Sequence, residues 1–459
     1  MSRSAHLLGL VAAAAILGGV GGAAVAPAAA VPTTIGPGAF HDCFWSIGAI
    51  NGGAMNIAYP DAGANYWAAG YVVPAGATLD LVGKFPHARF ASVQSYDPLS
   101  APVDALFDAQ IAPDRGSVNP FRPGVSRTAA KRSFTIRLAE DSLGAAPDPD
   151  ERANAAARNV LHAVPAAPTT TTRVVLWRVY VPDRGRDLRG GVALPQPRLT
   201  MPGGHVLTGQ AACDALRPAG GGLTSIDPSA LLVSKPQYDA LRYPPGVPAY
   251  FPAKPDPVWR VQYNRAYLLA LYTPGIVPAG VTKTGQSGFF PNLFNQYARA
   301  AVNRKLGKIV AFRGRMATTP ATQRGEKKVR ATQLRYESFC MNESVLTTRV
   351  MDCVYDEQIP LTRQRRYVVI TSRSGDRPRN ATKRCGVAWI RWSPAGDGGD
   401  DHDFGWMQVR NMLPAATFHH AVQDTRTPGD ERSVLGDYLP TGRYYKDKRA
   451  FEKLGCPVR

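Results

Sequence analysis

Alternating apolar and polar positions dominate the chain. TLDLVGKF (78–85), FTIRL (134–138), VVLWRVYV (174–181), KIVAFRG (308–314), RYVVITS (366–372) and VAWIRW (387–392) all change character at nearly every residue. Runs of this length, rich in Val, Ile, Phe and Trp and bounded by Gly, Pro, Asp and Asn, predict half-buried β-strands. The 44 Gly and 39 Pro match a chain of many short strands and turns. A helical pattern is confined to a few stretches, chiefly PNLFNQYARAAVNRKLG (291–307) and ATFHHAVQ (416–423).

The pattern also repeats. YPDAGANYWAAGYVVPAGATLDLVGKF from Tyr59 lies over FPNLFNQYARAAVNRKLGKIVAFRGRM from Phe290, so that Pro60 meets Pro291, Tyr66 meets Tyr297 and Gly83 meets Gly314. Each segment reads as a short helix or turn, a glycine stop and a strand. RFASVQSYD from Arg89 lies over RYESFCMNE from Arg335, and VDALFDAQI from Val103 over MDCVYDEQI from Met351, with Asp104/Asp352, Asp108/Asp356 and Gln110/Gln358 identical. A third block pairs VVLWRVYVP, ending at Pro182, with GVAWIRWSP, ending at Pro394, and a fourth pairs LPQP at Leu194 with LPAA at Leu413. Four blocks in one order predict an internal duplication. The predicted fold is mainly β: two tandem jelly-roll-like β-sandwich domains, 38–216 and 256–459, with few short helices and a Pro/Gly-rich linker over 217–255.

The first 30 residues change the compartment. Arg3, a long Ala/Gly/Leu/Val run and small residues at Ala28 and Ala30 have the order of a secretory signal peptide, with cleavage expected after Ala30. No later stretch reaches a membrane-spanning length. The chain is thus expected to be secreted or envelope-associated. Six cysteines form an even set with no CxxC pair, which in an exported chain favours disulfides. Gln94 and Ala105 hold the places of Cys340 and Cys353 in the other repeat, so these two appear jointly, as a staple between adjacent strands would. The expected bonds are Cys340–Cys353, Cys43–Cys213 and Cys385–Cys456.

Lys and Arg total 54 against 35 Asp and Glu, a formal net charge of +19, or +18 without Arg3. Such a chain is drawn to anionic polymers, yet it has no nucleic-acid-binding signature. Candidate chemistry is sparse. The acidic insertion GDGGDDHDFGW (396–406) offers Asp397, Asp400, Asp401 and Asp403 as oxygen ligands for calcium, without the EF-hand spacing. In FPHARF, His87 and Arg89 lie beside the strand carrying Asp97, so His87 is a candidate general base and Arg89 a grip for an anionic group. Asp97, Glu337 and Glu343 are candidate carboxylates for glycoside hydrolysis. Trp406, with Trp67, Trp392, Tyr444 and Tyr445, is a candidate for stacking on sugar rings. Ser287 in TGQSGF lacks the second glycine of a nucleophile elbow, and KTG at 283–285 has no S-x-x-K partner.

YPDAGANYW, PAGATLDLVGKFPHARFASVQSYD, IAPDRGSVNPF and WRVYVPDRGRDLRGGVALP together resemble a family of uncharacterised bacterial exported proteins. In the second repeat QLRYESFC, DRPRNAT, CGVAWIRW, VRNMLP and GDYLP are similar to the C-terminal half of related actinobacterial proteins, and each repeat resembles jelly-roll domains of bacterial envelope proteins. The resemblance implies the fold and export and brings no catalytic residue. The resulting functional expectation is an exported binding protein for an anionic or carbohydrate envelope polymer. A secreted carbohydrate-active hydrolase and a structural or interaction protein without a small ligand are the alternatives.

Overall fold

The structure, a computed structural model, describes residues 42–458 except 98–99, 145–147, 149, 154, 166–171, 220–231, 247–255, 274–279 and 285–287. The expected signal peptide lies outside the described residues. The first repeat contributes β1 (Ile47–Ile50), β2 (Ala64–Tyr71), β3 (Thr78–Lys84), β4 (Ala88–Tyr96), β5 (Pro102–Phe107), β6 (Ser133–Ala139), β7 (Val160–His162), β8 (Arg173–Pro182), β9 (Gln196–Thr200) and β10 (Val206–Thr208). They form two sheets, in the orders β1-β2-β8-β4-β5 and β10-β9-β3-β6-β7.

The second repeat contributes β11 (Trp259–Val261), β12 (Asn295–Asn303), β13 (Ile309–Arg315), β14 (Tyr336–Asn342), β15 (Val350–Tyr355), β16 (Arg366–Ser372), β17 (Val387–Arg391), β18 (Phe404–Met412) and β19 (Thr441–Tyr445). Its sheet orders are β11-β12-β18-β14-β15 and β17-β16-β13-β19. Apart from β10, which has no counterpart among the described residues of the second repeat, the two topologies coincide, including a parallel edge strand in each outer sheet (β7 on β6, β17 on β16). The fold is therefore mainly β, with four sheets, a duplicated jelly-roll-like sandwich and few short helices.

This topology corrects the third and fourth sequence blocks. Between β2 and β4 lies β8, as β18 lies between β12 and β14. The partner of VVLWRVYVP is thus MQVRNMLP, which puts Arg178 in the place of Arg410 and Pro182 in that of Pro414. GVAWIRW instead supplies β17, the counterpart of β7, and LPQP runs into β9, the counterpart of β19. Two Trp-Arg-containing strands look alike in sequence but occupy different sheets.

The helix expected within 291–307 is also overturned. Asn295–Asn303 is strand β12, paired along its whole length with β18. Ladder bonds on both sides outweigh the helical preference of its alanines. The stretch 416–423 contains no α-helix, and His419 and His420 are exposed.

Burial explains why alternation is clean in some strands and not in others. In the outer strand β6, Phe134, Ile136 and Leu138 are buried while Arg137 is exposed. Strands β4, β14 and β18 are buried at every residue, because the inner sheets of the two repeats pack on each other. On β4, Ala91 and Val93 enter the core of the first sandwich, whereas Phe90 packs on Phe294 of the second repeat with ring centroids 5.9 Å apart. Tyr180 and Tyr336 meet across the same plane at 5.5 Å.

Reciprocal ion pairs fix this packing. Arg89 of the first repeat donates to Asp356 of the second at 2.6 Å, and Arg335 donates to Asp108 at 3.1 Å. Each aspartate also accepts a backbone N–H from its own repeat, Asp108 from Ala91 and Asp356 from Glu337. The shared D-x-x-x-D-x-Q-I unit is thus both a turn cap, through Gln110 and Gln358 on the N–H of Phe107 and Tyr355, and the joint between repeats.

All three expected disulfides are present: Cys43–Cys213, Cys340–Cys353 and Cys385–Cys456. Among the described residues no helix is long and apolar enough to cross a membrane.

Candidate functional site

The packed inner sheets do not close completely. Between them lies a cavity of about 70 Å³, lined from the first repeat by Tyr66, Leu176 and Arg178 and from the second by Tyr297, Arg299 and Arg410. Ile50, Ile57, Phe289 and Phe290 give it apolar walls. Its position follows from the duplication. Tyr66 on β2 pairs with Arg178 on β8, and Tyr297 on β12 pairs with Arg410 on β18. Both Tyr/Arg pairs line this cavity, while Trp67 and Trp177 beside the first pair, and Ala298 and Val409 beside the second, belong to hydrophobic cores.

Two strained turns complete the site. Tyr59 and Phe290, at equivalent positions before Pro60 and Pro291, adopt φ of +53° and +45°. Non-glycine residues rarely take this conformation, and such strain concentrates at functional sites. It turns each carbonyl toward an arginine: Arg410 donates to Tyr59 O at 3.3 Å and Arg178 to Phe290 O at 2.9 Å, each across the two repeats.

Arg178, Arg299 and Arg410 are each only 2% exposed. Among the described residues only Arg410 has a carboxylate partner, Asp61, which also accepts from Tyr336 and Ser338 at 2.6 Å each. Arg178 donates to the Tyr96 hydroxyl at 2.7 Å and lies over the rings of Tyr66 and Tyr96, while its Nη1 has no hydrogen-bond partner among the described residues. Arg299 lies 4.2 Å over the Tyr59 ring, with Nε and Nη1 likewise unpartnered.

Magnitudes show what is missing. A buried cation–π contact contributes about 0.5–2 kcal/mol, against several kcal/mol for desolvating one ion. The ring contacts alone do not offset that cost; Arg178 adds its hydrogen bonds to Tyr96 and Phe290, while neither Arg178 nor Arg299 has a carboxylate partner among the described residues. Burial raises the hydroxyl pKa of Tyr59, Tyr66 and Tyr180, so these groups remain protonated hydrogen-bonding partners at neutral pH.

The residues singled out from sequence lie elsewhere. Arg89 is a fully buried joint residue held by Asp356 and Glu357, not a ligand grip. Trp406 is core, edge-on to Tyr272 at 5.2 Å, and Trp67 and Trp392 are buried as well, so none offers a face to a sugar. His87 lies against Arg132, its Nδ1 2.6 Å from the guanidinium; burial and the surrounding arginines push its pKa down to about 4. Asp97 caps a turn through Ala101 N. Glu343 accepts from Ser393 and Thr347 at 2.7 and 2.8 Å. His87, Asp97, Glu337 and Glu343 form no hydrogen bond to one another among the described residues.

The aspartates of the acidic insertion have partners within the fold. Among the described residues, Asp397, Asp400, Asp401 and Asp403 do not bring three ligand oxygens within 4.8 Å of one another. They serve as a dock. Tyr238, Lys235 and Arg242 of the helix Lys235–Arg242 donate to Asp397, Asp400 and Asp401 at 2.7 Å each. The stretch expected as a plain linker therefore carries a helix, capped by Ser234 and Gln237. The cluster Asp61, Cys340 and Cys353 has metal-like spacing, but its sulfurs are joined in a disulfide.

No protein-family model matches the chain, and no curated protein matches it. Among solved structures it is similar to an uncharacterised protein from Burkholderia cenocepacia, with a TM-score of 0.41 and 12% identity over 79% of this chain and 76% of that one. It is also similar to the VPA0106 protein from Vibrio parahaemolyticus, with a TM-score of 0.38 and 10% identity over 84% of this chain and 90% of that one. The site is therefore read from its own residues.

Glu337 gives a testable consequence of its surroundings. It stands where the first repeat has Ala91, pointing into the second sandwich core, and burial, with Asp356 adding to it, pushes its carboxyl up to about 8. The folded state thus holds a proton that the unfolded chain loses near pH 4. Stability from this group is fully present below about pH 4 and is lost as pH rises toward 8. Glu337→Gln is expected to match the wild type in urea unfolding at pH 4 and to exceed it by a few kcal/mol at pH 8, because each tenfold difference in proton affinity is worth about 1.4 kcal/mol. Equal stabilities at both pH values would contradict this assignment.

Proposed function

We propose that this chain is an exported binding protein that holds an anionic group in the cavity between its inner sheets, either a small free anion or the charged end group of an envelope or environmental polymer. The observation that supports this is the set of three buried guanidinium groups, Arg178, Arg299 and Arg410, around one cavity, of which, among the described residues, only Arg410 is paired with a carboxylate, Asp61. Arginine is always charged and presents a planar fork matched to carboxylate and phosphate oxygens. A volume of about 70 Å³ admits roughly five water-sized groups, which suits an end group and not a polymer chain threaded along its length. The disulfides fit an oxidising compartment, and the net positive charge would draw anionic ligands toward the site.

The test is calorimetric titration of acetate, phosphate and sulfate, with glucose as a neutral control, at fixed ionic strength made up with chloride. Saturable binding of at least one oxyanion, and reduced binding in Arg299→Ala, is the expected result. Alanine is the residue that the first repeat carries at the equivalent position, Ala68, so the variant is compatible with the strand. Heat from none of the oxyanions, or equal binding in Arg299→Ala, would overturn the reading.

A further inference from the structure

The duplication is broken at one position that decides where the anion sits. Asp61 and Asn292 directly follow the equivalent prolines Pro60 and Pro291. Their local roles agree: Asp61 Oδ1 accepts from Gly63 N at 2.7 Å, and Asn292 Oδ1 accepts from Phe294 N at 3.1 Å. Each also reaches into the opposite repeat, Asp61 to Tyr336 and Ser338, Asn292 to Gln94 and Tyr180. Their charges differ. Arg410 is paired with the carboxylate, whereas its counterpart Arg178 shares a cavity wall with a neutral amide, Asn292, and keeps Nη1 unpartnered among the described residues.

We propose that a small oxyanion in the cavity gives Arg178 the counter-charge that Asp61 gives Arg410, bonding to the free Nη1. This rests on the reading of the cavity as an anion site and adds its location and ligand class: a carboxylate, phosphate or sulfate of roughly five heavy atoms, limited by the cavity volume. Its oxygens accept from Arg178, with Ile50, Ile57 and Phe290 as apolar walls of the same cavity. The other cavity arginine without a carboxylate partner among the described residues, Arg299, replaces Ala68 of the first repeat and adds positive charge on the same cavity.

The decisive variant is Asn292→Asp, which restores the carboxylate of the other repeat. Its first oxygen keeps the Gln94 and Phe294 bonds, and its second accepts from the Tyr180 hydroxyl that now accepts from Asn292 Nδ2 at 3.3 Å. Acetate, phosphate and sulfate are titrated separately into wild-type and variant full-length chain. The expected result is saturable binding by the wild type of at least one of them and about tenfold or greater weakening in the variant, the size of a lost charged hydrogen bond. The variant without ligand should melt no lower than the wild type.

Wild-type binding that Asn292→Asp leaves intact would overturn this location while sparing the anion-binding reading; no wild-type binding would end both. If Asn292→Asp does not fold, Arg178→Met, which keeps the aliphatic stem and removes the charge, replaces it. Undiminished binding in Arg178→Met overturns the proposal equally.

Discussion

Replacing Asp61 by alanine is expected to destabilise the chain by about 3–5 kcal/mol, the cost of leaving one partner of a buried ion pair alone. Asp61 is fully buried and takes hydrogen bonds from Gly63 N, Tyr336, Ser338 and Arg410. Alanine would strand the Arg410 guanidinium, itself 2% exposed, and two hydroxyl donors. Asp61→Asn should cost distinctly less, because asparagine fills the matching place in the second repeat at Asn292. Urea unfolding with slopes compared between variants separates lost stability from a change in the unfolded state. A loss below about 1 kcal/mol for the alanine variant, the range of exposed pairs, would show that Arg410 is not held as described.

The second large effect concerns the disulfides, whose contributions should rank by the loop that each closes. Cys43 and Cys213 are 170 residues apart, Cys385 and Cys456 71, and Cys340 and Cys353 13. Chain entropy alone gives about 5 kcal/mol for the longest loop and about 3 for the shortest. Paired Cys→Ser variants measured by the same unfolding assay should follow that order. The longest bond also joins the segment before β1 to the helix Gly209–Ala215, the two ends of the first repeat. A larger loss for the Cys340/Cys353 pair would mean that local packing against Asp61 and Arg410, and not loop closure, sets its value.

Much of the fold is legible in the sequence because the outer strands obey one-sided burial. Phe134, Ile136 and Leu138 alternate with exposed or half-exposed neighbours, as a sheet with one wet face requires. The inner strands hide their role for the opposite reason. On β8, Trp177 and Val179 serve the sandwich core while Arg178 and Tyr180 serve the joint, so the same alternation that reads as core and solvent is core and second core. A buried arginine in such a strand looks like a surface residue until the partner sheet is known.

One misplaced pairing hides the site in the sequence. Setting VVLWRVYVP against GVAWIRWSP places Arg178 opposite a tryptophan-containing edge strand. Matching Pro182 to Pro414 sets Arg178 over Arg410 and, with Pro60 over Pro291, exposes the Asp61/Asn292 difference. Conversely, the acidic insertion and the His87/Arg89 pair stand out because charge is conspicuous in sequence. Their partners, the helix Lys235–Arg242 for the first, Arg132 and Asp356 for the second, lie 45 to more than 260 residues away and are visible only in the fold.

The most direct measurement of the central claim is a crystal structure of the chain grown with selenate, a heavier analogue of sulfate, with data collected at the selenium edge. An anomalous peak within hydrogen-bond distance of Arg178, between the two inner sheets, is the predicted result. Peaks confined to surface arginines, with none in the cavity at saturating selenate, would contradict it.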